Sequence, residues 1–162
     1  QDLVLDASQL VDSGSSLCFI GGGELDLDSN TTLKGTGVEG NIATRGGGVF
    51  VAAGGARLLM MNATIMNCNA TYGGAIYLES GSPSEIAIAD LMGNSILDGN
   101  IAGFGSALYI GPSSRAECGA GTIVRNNHAS SGGGTVCHEG SDSFIDHGII
   151  FTNNENHEIL QF

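Results

Sequence analysis

The chain has 162 residues, 27 of them glycine, no tryptophan and only 14% charged residues, against about 25% in an average domain. Five Lys and Arg stand against 17 Asp and Glu, a formal charge of −12, which disfavours nucleic acid and anionic membranes because both need a positive field. The 41% apolar content suits one folded domain over residues 1–162 with a continuous core, and no apolar run reaches the ~18 residues of a spanning helix, so no membrane insertion is expected.

The chain opens at Gln1 without an initiator Met or a signal segment and reads as processed or excerpted. Residues 1–34 are less regular than the rest and are expected to form an N-terminal coil and cap, with repeat coils over 35–162. Within the cap Glu24, Asp26 and Asp28 alternate with Leu25 and Leu27, so a strand here points all three carboxylates to one face. That face is a weak Ca2+ candidate, because the ion takes several oxygen ligands and no others are placed; a solvated acidic face is the plainer reading. No other metal spacing is present, His128, His138, His147 and His157 included.

From Val38 onward one unit recurs five times: an apolar residue, two variable residues and Asn, then a small residue, a Gly-rich corner and an apolar run. The copies begin Val38-Glu39-Gly40-Asn41, Met66-Asn67-Cys68-Asn69, Leu97-Asp98-Gly99-Asn100, Val124-Arg125-Asn126-Asn127 and Phe151-Thr152-Asn153-Asn154, with Asn spacings of 28, 31, 27 and 27. The apolar runs are short, β-branched or aromatic, and bounded by Gly, Asn, Ser and Asp, so the units are strands and turns. A period near 27 is too short for a propeller blade of roughly 40 to 50 residues and contains no helix. The expected fold is therefore all-β: a right-handed single-stranded parallel β-helix, or β-solenoid, of about five to six coils stacked at ~4.8 Å.

Stacking in register turns the repeat into columns. Val49, Ile76, Leu108 and Thr135 form one, Phe50, Tyr77, Tyr109 and Val136 the next, and Val51, Leu78, Ile110 and Cys137 the third. The Asn column (Asn41, Asn69, Asn100, Asn127, Asn154) is expected to hydrogen-bond from coil to coil. Glu39, Asn67, Asp98, Arg125 and Thr152 are expected on one outward face, with Asp98 and Arg125 paired. If Ile76 and Leu78 face the core, the aromatic column Phe50, Tyr77, Tyr109 stands outside. It is then either a surface for stacking sugars or a neighbouring subunit, or a ladder that stabilises its own sheet.

The pairing of hydrophobe-x-x-Asn with Gly-Gly-Ala-Ile resembles the repeats of the chlamydial polymorphic outer membrane proteins, a set of parallel β-helix adhesins and surface proteins. Phe151-Thr152-Asn153-Asn154 and Gly73-Gly74-Ala75-Ile76 match the two motifs, and the other copies depart by Val, Met or Leu for Phe and by changes within the Gly-Gly-Ala-Ile element. The resemblance covers about residues 36–154 and implies the fold more than any site.

Three sequons (Asn30, Asn62, Asn69) and four cysteines without C-x-x-C spacing favour an extracellular location, with glycans on those Asn residues and disulfides pairing Cys118 with Cys137 and Cys18 with Cys68. Polysaccharide lyases need acidic Ca2+ ligands beside a Lys or Arg, and hydrolases need clustered carboxylates. Neither constellation stands out, and Asp146-His147-Gly148 is only a faint echo of a Gly-His-Gly element. No catalysis and no cofactor are therefore expected. The favoured function is a structural or adhesive surface module that assembles end to end into a filament or hair-like appendage, with Ile159, Leu160 and Phe162 at the assembling end. The alternatives are a glycan-binding or polysaccharide-active β-helix, or an excerpt of a longer adhesin or autotransporter passenger.

Overall fold

The computed structural model describes residues 3–6, 18–35, 43–79, 81, 82, 84, 86–131, 133–140 and 143–162, with backbone alone for 3–6, 18 and 19. Among them are strands and no helix. The described residues of the first coil supply β1 (Leu3–Asp6), β2 (Cys18–Ile20) and β3 (Glu24–Leu27). Four complete coils of four strands follow: β4 (Thr31–Lys34), β5 (Ala43–Arg45), β6 (Val49–Val51) and β7 (Arg57–Met61); then β8 (Thr64–Met66), β9 (Asn69–Tyr72), β10 (Ile76–Leu78) and β11 (Ile88–Met92). The third holds β12 (Ile96–Asp98), β13 (Ile101–Phe104), β14 (Leu108–Ile110) and β15 (Arg115–Cys118), and the fourth β16 (Ile123–Arg125), β17 (His128–Ala129), β18 (Val136–His138) and β19 (Phe144–Asp146). β20 (Ile150–Thr152) and β21 (Ile159–Gln161) belong to a last partial coil. Among the described residues four coils thus show all four strands, fewer than the five to six coils expected, because two of them, starting at β4 and β8, are longer than the 27-residue period.

Every strand pairs in parallel with its equivalents in neighbouring coils, which builds four walls. The first wall is β1-β4-β8-β12-β16-β20, the second β5-β9-β13-β17, the third β2-β6-β10-β14-β18-β21 and the fourth β3-β7-β11-β15-β19. Alternation along each strand sends one set of side chains inward. Leu33, Ile65, Leu97 and Val124 come from the first wall, Val49, Ile76, Leu108 and Val136 with Val51, Leu78 and Ile110 from the third, and Leu58, Met60 and Leu91 from the fourth, all in one buried cluster. Flush stacking of aliphatic columns gives this core its density, and burial at roughly 25 cal/mol per Å2 is its main source of stability.

Two corners decide the register. Between first and second walls, one left-handed residue precedes the ladder position: Asn67 (φ 54°), Gly99 (φ 64°), Asn126 (φ 54°) and Asn153 (φ 54°). Asn tolerates this region better than most residues and Gly enters it without cost. Between second and third walls the chain turns through Gly73-Gly74. Gly73 has φ 66°, and a Cβ on Gly74 would lie 2.2 Å from the Ser106 carbonyl oxygen of the next coil, so neither position accepts a side chain.

The pairing corrects the expected alignment at two coils. Leu97 pairs with Ile65 and not Met66, so Cys68 and not Asn69 occupies the Asn column. Matching Asn to Asn misplaced this coil by one residue; the repeated element is the left-handed corner, and the ladder position accepts Cys. Val136 pairs with Leu108, Cys137 with Tyr109 and His138 with Ile110, one residue later than expected, because the corner after β17 is one residue longer than that after β13. The copy at Val38-Glu39-Gly40-Asn41 lies outside the described residues, and Leu33 holds the position it was expected to fill.

Candidate functional site

The third wall carries an outward column in strict register: Phe50, Tyr77, Tyr109, Cys137 and Leu160. Phe50 stacks on Tyr77 with centroids 5.4 Å apart, and Tyr77 on Tyr109 at 5.4 Å with planes 12° apart. The second wall adds a parallel column from the residues just before each corner glycine, Arg45, Tyr72 and Phe104. Tyr72 and Phe104 stack at 5.6 Å and 13°, and Tyr72 meets Tyr109 edge to face at 5.4 Å across the corner. The expected column is therefore not a bare surface stripe: Tyr77 is 6% exposed.

Both stacks end in the third coil. Tyr109 is followed in register by Cys137, and a Cβ on Gly133 would lie 2.8 Å from the Phe104 ring, so the fourth coil places only small residues beyond the last two rings. Phe162 folds back to meet Phe104 at 6.3 Å and 66°. A cavity of about 320 Å3 results, lined by Tyr72, Phe104, Tyr109, Glu139 and Phe162. Its rim is acidic. The Tyr109 hydroxyl donates to the Glu139 carboxylate, and Tyr109 ionises well above the usual tyrosine range because it is desolvated and because that hydrogen bond and the adjacent negative charge hold the proton. At the other end Arg45 lies 5.4 Å from the Tyr77 ring centroid and 4.0 Å from Glu79. Burial also raises Tyr77, opposed by Arg45 and reinforced by Glu79.

Of the sequence expectations, Phe50, Tyr77 and Tyr109 belong to this cleft, whereas Tyr72, Phe104, Glu139 and Phe162 were missed. Tyr72 and Phe104 had a readable signal, since each directly precedes a left-handed glycine, Gly73 or Gly105. Phe162 was expected at an assembling end but lies laterally, and Leu160 continues the outer column; only Ile159, paired with Val136, extends an inward one.

The Asn ladder runs through Asn100, Asn127 and Asn154. Asn100 donates to Asn127 Oδ1 and Asn127 to Asn154 Oδ1, each at 3.0 Å, and Asn100 Oδ1 accepts the Cys68 N–H at 3.0 Å. Asn69 stands one position off this column and Asn41 lies outside the described residues. On the first wall Lys34, Met66, Asp98, Arg125 and Thr152 share the outward column, so Asn67 is displaced to the corner and Glu39 is not described. Arg125 and Asp98 pair at 2.9 Å.

The expected disulfide between Cys118 and Cys137 is not formed. Cys118 faces the core from the fourth wall, Cys137 lies on the outer column of the third, and both are buried free thiols, as is Cys68. Cys68 is thus not joined to Cys18, whose side chain is not described. Burial pushes the Cys68 and Cys118 thiols up to about 12. Of the sequons, Asn30 and Asn62 are exposed at the fourth-to-first corner, and Asn69 is 9% exposed.

Elsewhere several of the charged and polar side chains are paired with one another. Arg57 binds Asp90 at 2.8 Å and Glu24 at 3.3 Å, and Asp28 accepts from Thr31 at 3.3 Å. Glu117 pairs with Arg115 at 2.7 Å and with His147 at 3.0 Å, and His128 pairs with Glu155. Asp146 in Asp146-His147-Gly148 accepts the Gly148 and Ile149 N–H groups at 2.7 and 2.8 Å, which makes this a turn. Among the described residues no three His, Cys, Asp or Glu side chains are grouped to hold a metal ion. Comparison of the chain with protein-family models, curated proteins and solved structures finds no match.

Proposed function

We propose that the chain is a non-enzymatic adhesive module of an extracellular surface, in which the solenoid is a rigid support and the aromatic cleft is the contact site. The observation that carries this reading is the pair of ring stacks that meet at one corner and stop one coil early, leaving Phe104, Tyr109 and Phe162 around an open cavity. Apolar rings beside a few directional polar groups are the usual make-up of a small-ligand site. The reading also suits the resemblance of Phe151-Thr152-Asn153-Asn154 and Gly73-Gly74-Ala75-Ile76 to the chlamydial surface-protein repeats. The test is retention of fluorescently labelled chain on polysaccharide-coated and bare surfaces, with release of reducing ends measured in the same wells. The expected result is retention on coated surfaces that Tyr109→Ala and Phe162→Ala each reduce, without release of reducing ends. Equal retention of the variants, or turnover, refutes the reading.

A second reading, coil-on-coil assembly with another copy, is favoured by Ile159, which continues an inward column yet is 42% exposed, and by half-buried Phe144 and Phe151 packed against the core at the same end. An exposed apolar side chain in register with a core column is a surface that a strand of another copy can cover. Ile159→Lys should then abolish polymers seen by negative-stain microscopy while the monomer stays folded; monomers at high concentration in the unaltered chain refute assembly.

A further inference from the structure

The ring stacks of the cleft behave like a ladder with a missing rung. Along the third wall, rings follow one another at 5.4 Å, and along the second at 5.6 Å, near the strand spacing of a sheet. In the fourth coil the rungs are Cys137 and Gly133, neither of which carries a ring, and an open cavity borders the exposed parts of Phe104 and Tyr109. Phe162 walls that space on one side and Glu139 borders it. The cavity, about 320 Å3, is at the low end of the roughly 300–1,000 Å3 typical of small-ligand sites, so it accommodates a single ring with its substituents and not a folded chain segment.

We infer that this cavity is a saccharide subsite that takes one neutral hexopyranose, its C–H face laid against the exposed parts of Phe104 and Tyr109 and bordered by Phe162. The inference rests on the adhesive reading above and assigns the ligand class of the same cleft. A pyranose with its C–H bonds gathered on one face offers the apolar disc that the rings lack, and its hydroxyl edge offers donors to a carboxylate. Glu139 supplies that acceptor, because its bond from the Tyr109 hydroxyl uses only part of a carboxylate's capacity. Charge decides between sugars. Glu139 lies at the cavity, Glu79 at the far end of the stack is matched to Arg45, and the chain carries −12 overall, so a uronate or sialic acid would bring a like charge beside Glu139.

The composition makes the test direct. The chain has three tyrosines and no tryptophan, and all three, Tyr72, Tyr77 and Tyr109, are in the two stacks, so intrinsic tyrosine fluorescence reports on this region alone. Methyl β-glucopyranoside, methyl β-galactopyranoside, glucuronate and tetramethylammonium chloride are titrated in parallel at equal ionic strength. At least one neutral glycoside should give a saturable change that is weakened fivefold or more in Phe162→Ala, whose side chain is 61% exposed and whose loss should leave the melting temperature nearly unchanged. Glucuronate should bind at least tenfold more weakly than that glycoside, and Glu139→Gln should narrow the gap.

Tighter binding of glucuronate, or of tetramethylammonium, overturns the neutral-sugar assignment. So does the lack of any saturable response to the glycosides while the chain is still retained on coated surfaces through Tyr109, an outcome that leaves the adhesive reading standing. Retention that ignores the cleft variants removes the adhesive reading instead.

Discussion

Replacing Asn127 by Ala tests whether the ladder of amides holds the coils in register. Asn127 is fully buried, and its side chain makes four hydrogen bonds: Oδ1 accepts from Asn100 N at 2.9 Å and Asn100 Nδ2 at 3.0 Å, and Nδ2 donates to the Leu97 carbonyl and to Asn154 Oδ1, both at 3.0 Å. At about 1 kcal/mol net for each bond, the loss is about 4 kcal/mol, and a donor left unpaired in the core adds to it. Against a total of about 5–15 kcal/mol this is a large fraction. For a chain of this length it lowers the melting temperature by about 8–16 °C. Asn127→Asp adds a pH signature. The new carboxylate keeps the acceptor facing Asn100 but turns an oxygen toward two other acceptors, so burial and repulsion raise its folded pKa above the unfolded value of about 3.9. A group with a raised folded pKa destabilises as it ionises, so the penalty is small below about pH 4 and grows as the pH rises above that value. Urea or thermal unfolding at pH 4 and pH 7 measures both effects. A loss under 1 kcal/mol in Asn127→Ala, or an Asp variant with no extra penalty at pH 7, would refute the ladder as a source of stability.

Arg125→Ala should cost only ~0.2–1 kcal/mol, because the ion pair with Asp98 is exposed on the arginine side; a loss of several kcal/mol in urea unfolding would mean that this face is covered by a partner. Gly73→Ala should prevent folding or lower the melting point severely, since φ is 66° and the Cβ would lie 2.3 Å from the Ile76 carbonyl oxygen, whereas Gly22→Ala meets nothing within 4 Å and should be close to neutral by circular dichroism. Cys68 and Cys118 should resist iodoacetamide at pH 8 until the chain is unfolded, as burial pushes both thiols up to about 12; labelling of either in the native state, read by mass spectrometry, contradicts their placement. Secreted from a glycosylating host, the folded chain should carry glycan at Asn30 or Asn62 and not at Asn69, whose side chain is buried, and peptide mapping that finds Asn69 occupied shows a different packing of β9.

Periodicity exposed the architecture because stacking forces equivalent residues into equivalent environments. Val49, Ile76 and Leu108, with Phe50, Tyr77 and Tyr109 beside them, could be placed in register from spacing alone, and they pair as spaced. The same logic failed where chemistry, and not geometry, was matched. Asn69 was aligned with Asn100 because both are Asn, yet the conformational requirement belongs to the preceding left-handed position, which Asn67 and Gly99 satisfy equally well. Cys68 then serves at the ladder's edge, because all that Asn100 needs from that side is a backbone N–H. The cysteine pairing failed for a related reason. Once β18 shifts by one residue, Cys137 moves from the inward column to the outward one, while Cys118 remains inside, so the wall itself separates them.

The cleft was hard to read because it depends on departures from the repeat. A perfect array would place a ring on each coil at the two outward positions, burying every ring face but those at the ends. This chain supplies Tyr72 and Phe104 on one stack and Phe50, Tyr77 and Tyr109 on the other, then breaks both in the fourth coil with Gly133 and Cys137. The same one-residue lengthening of the corner that misaligned β18 sets Cys137 above Tyr109 where Val136 was expected, and two residues later Glu139 reaches the Tyr109 hydroxyl. A Val at the Cys137 position would bring a branched apolar side chain over the Tyr109 ring and fill part of the cavity. In a solenoid, then, the regular coils account for stability, and an irregular coil is where ring faces and a carboxylate are left available to a ligand.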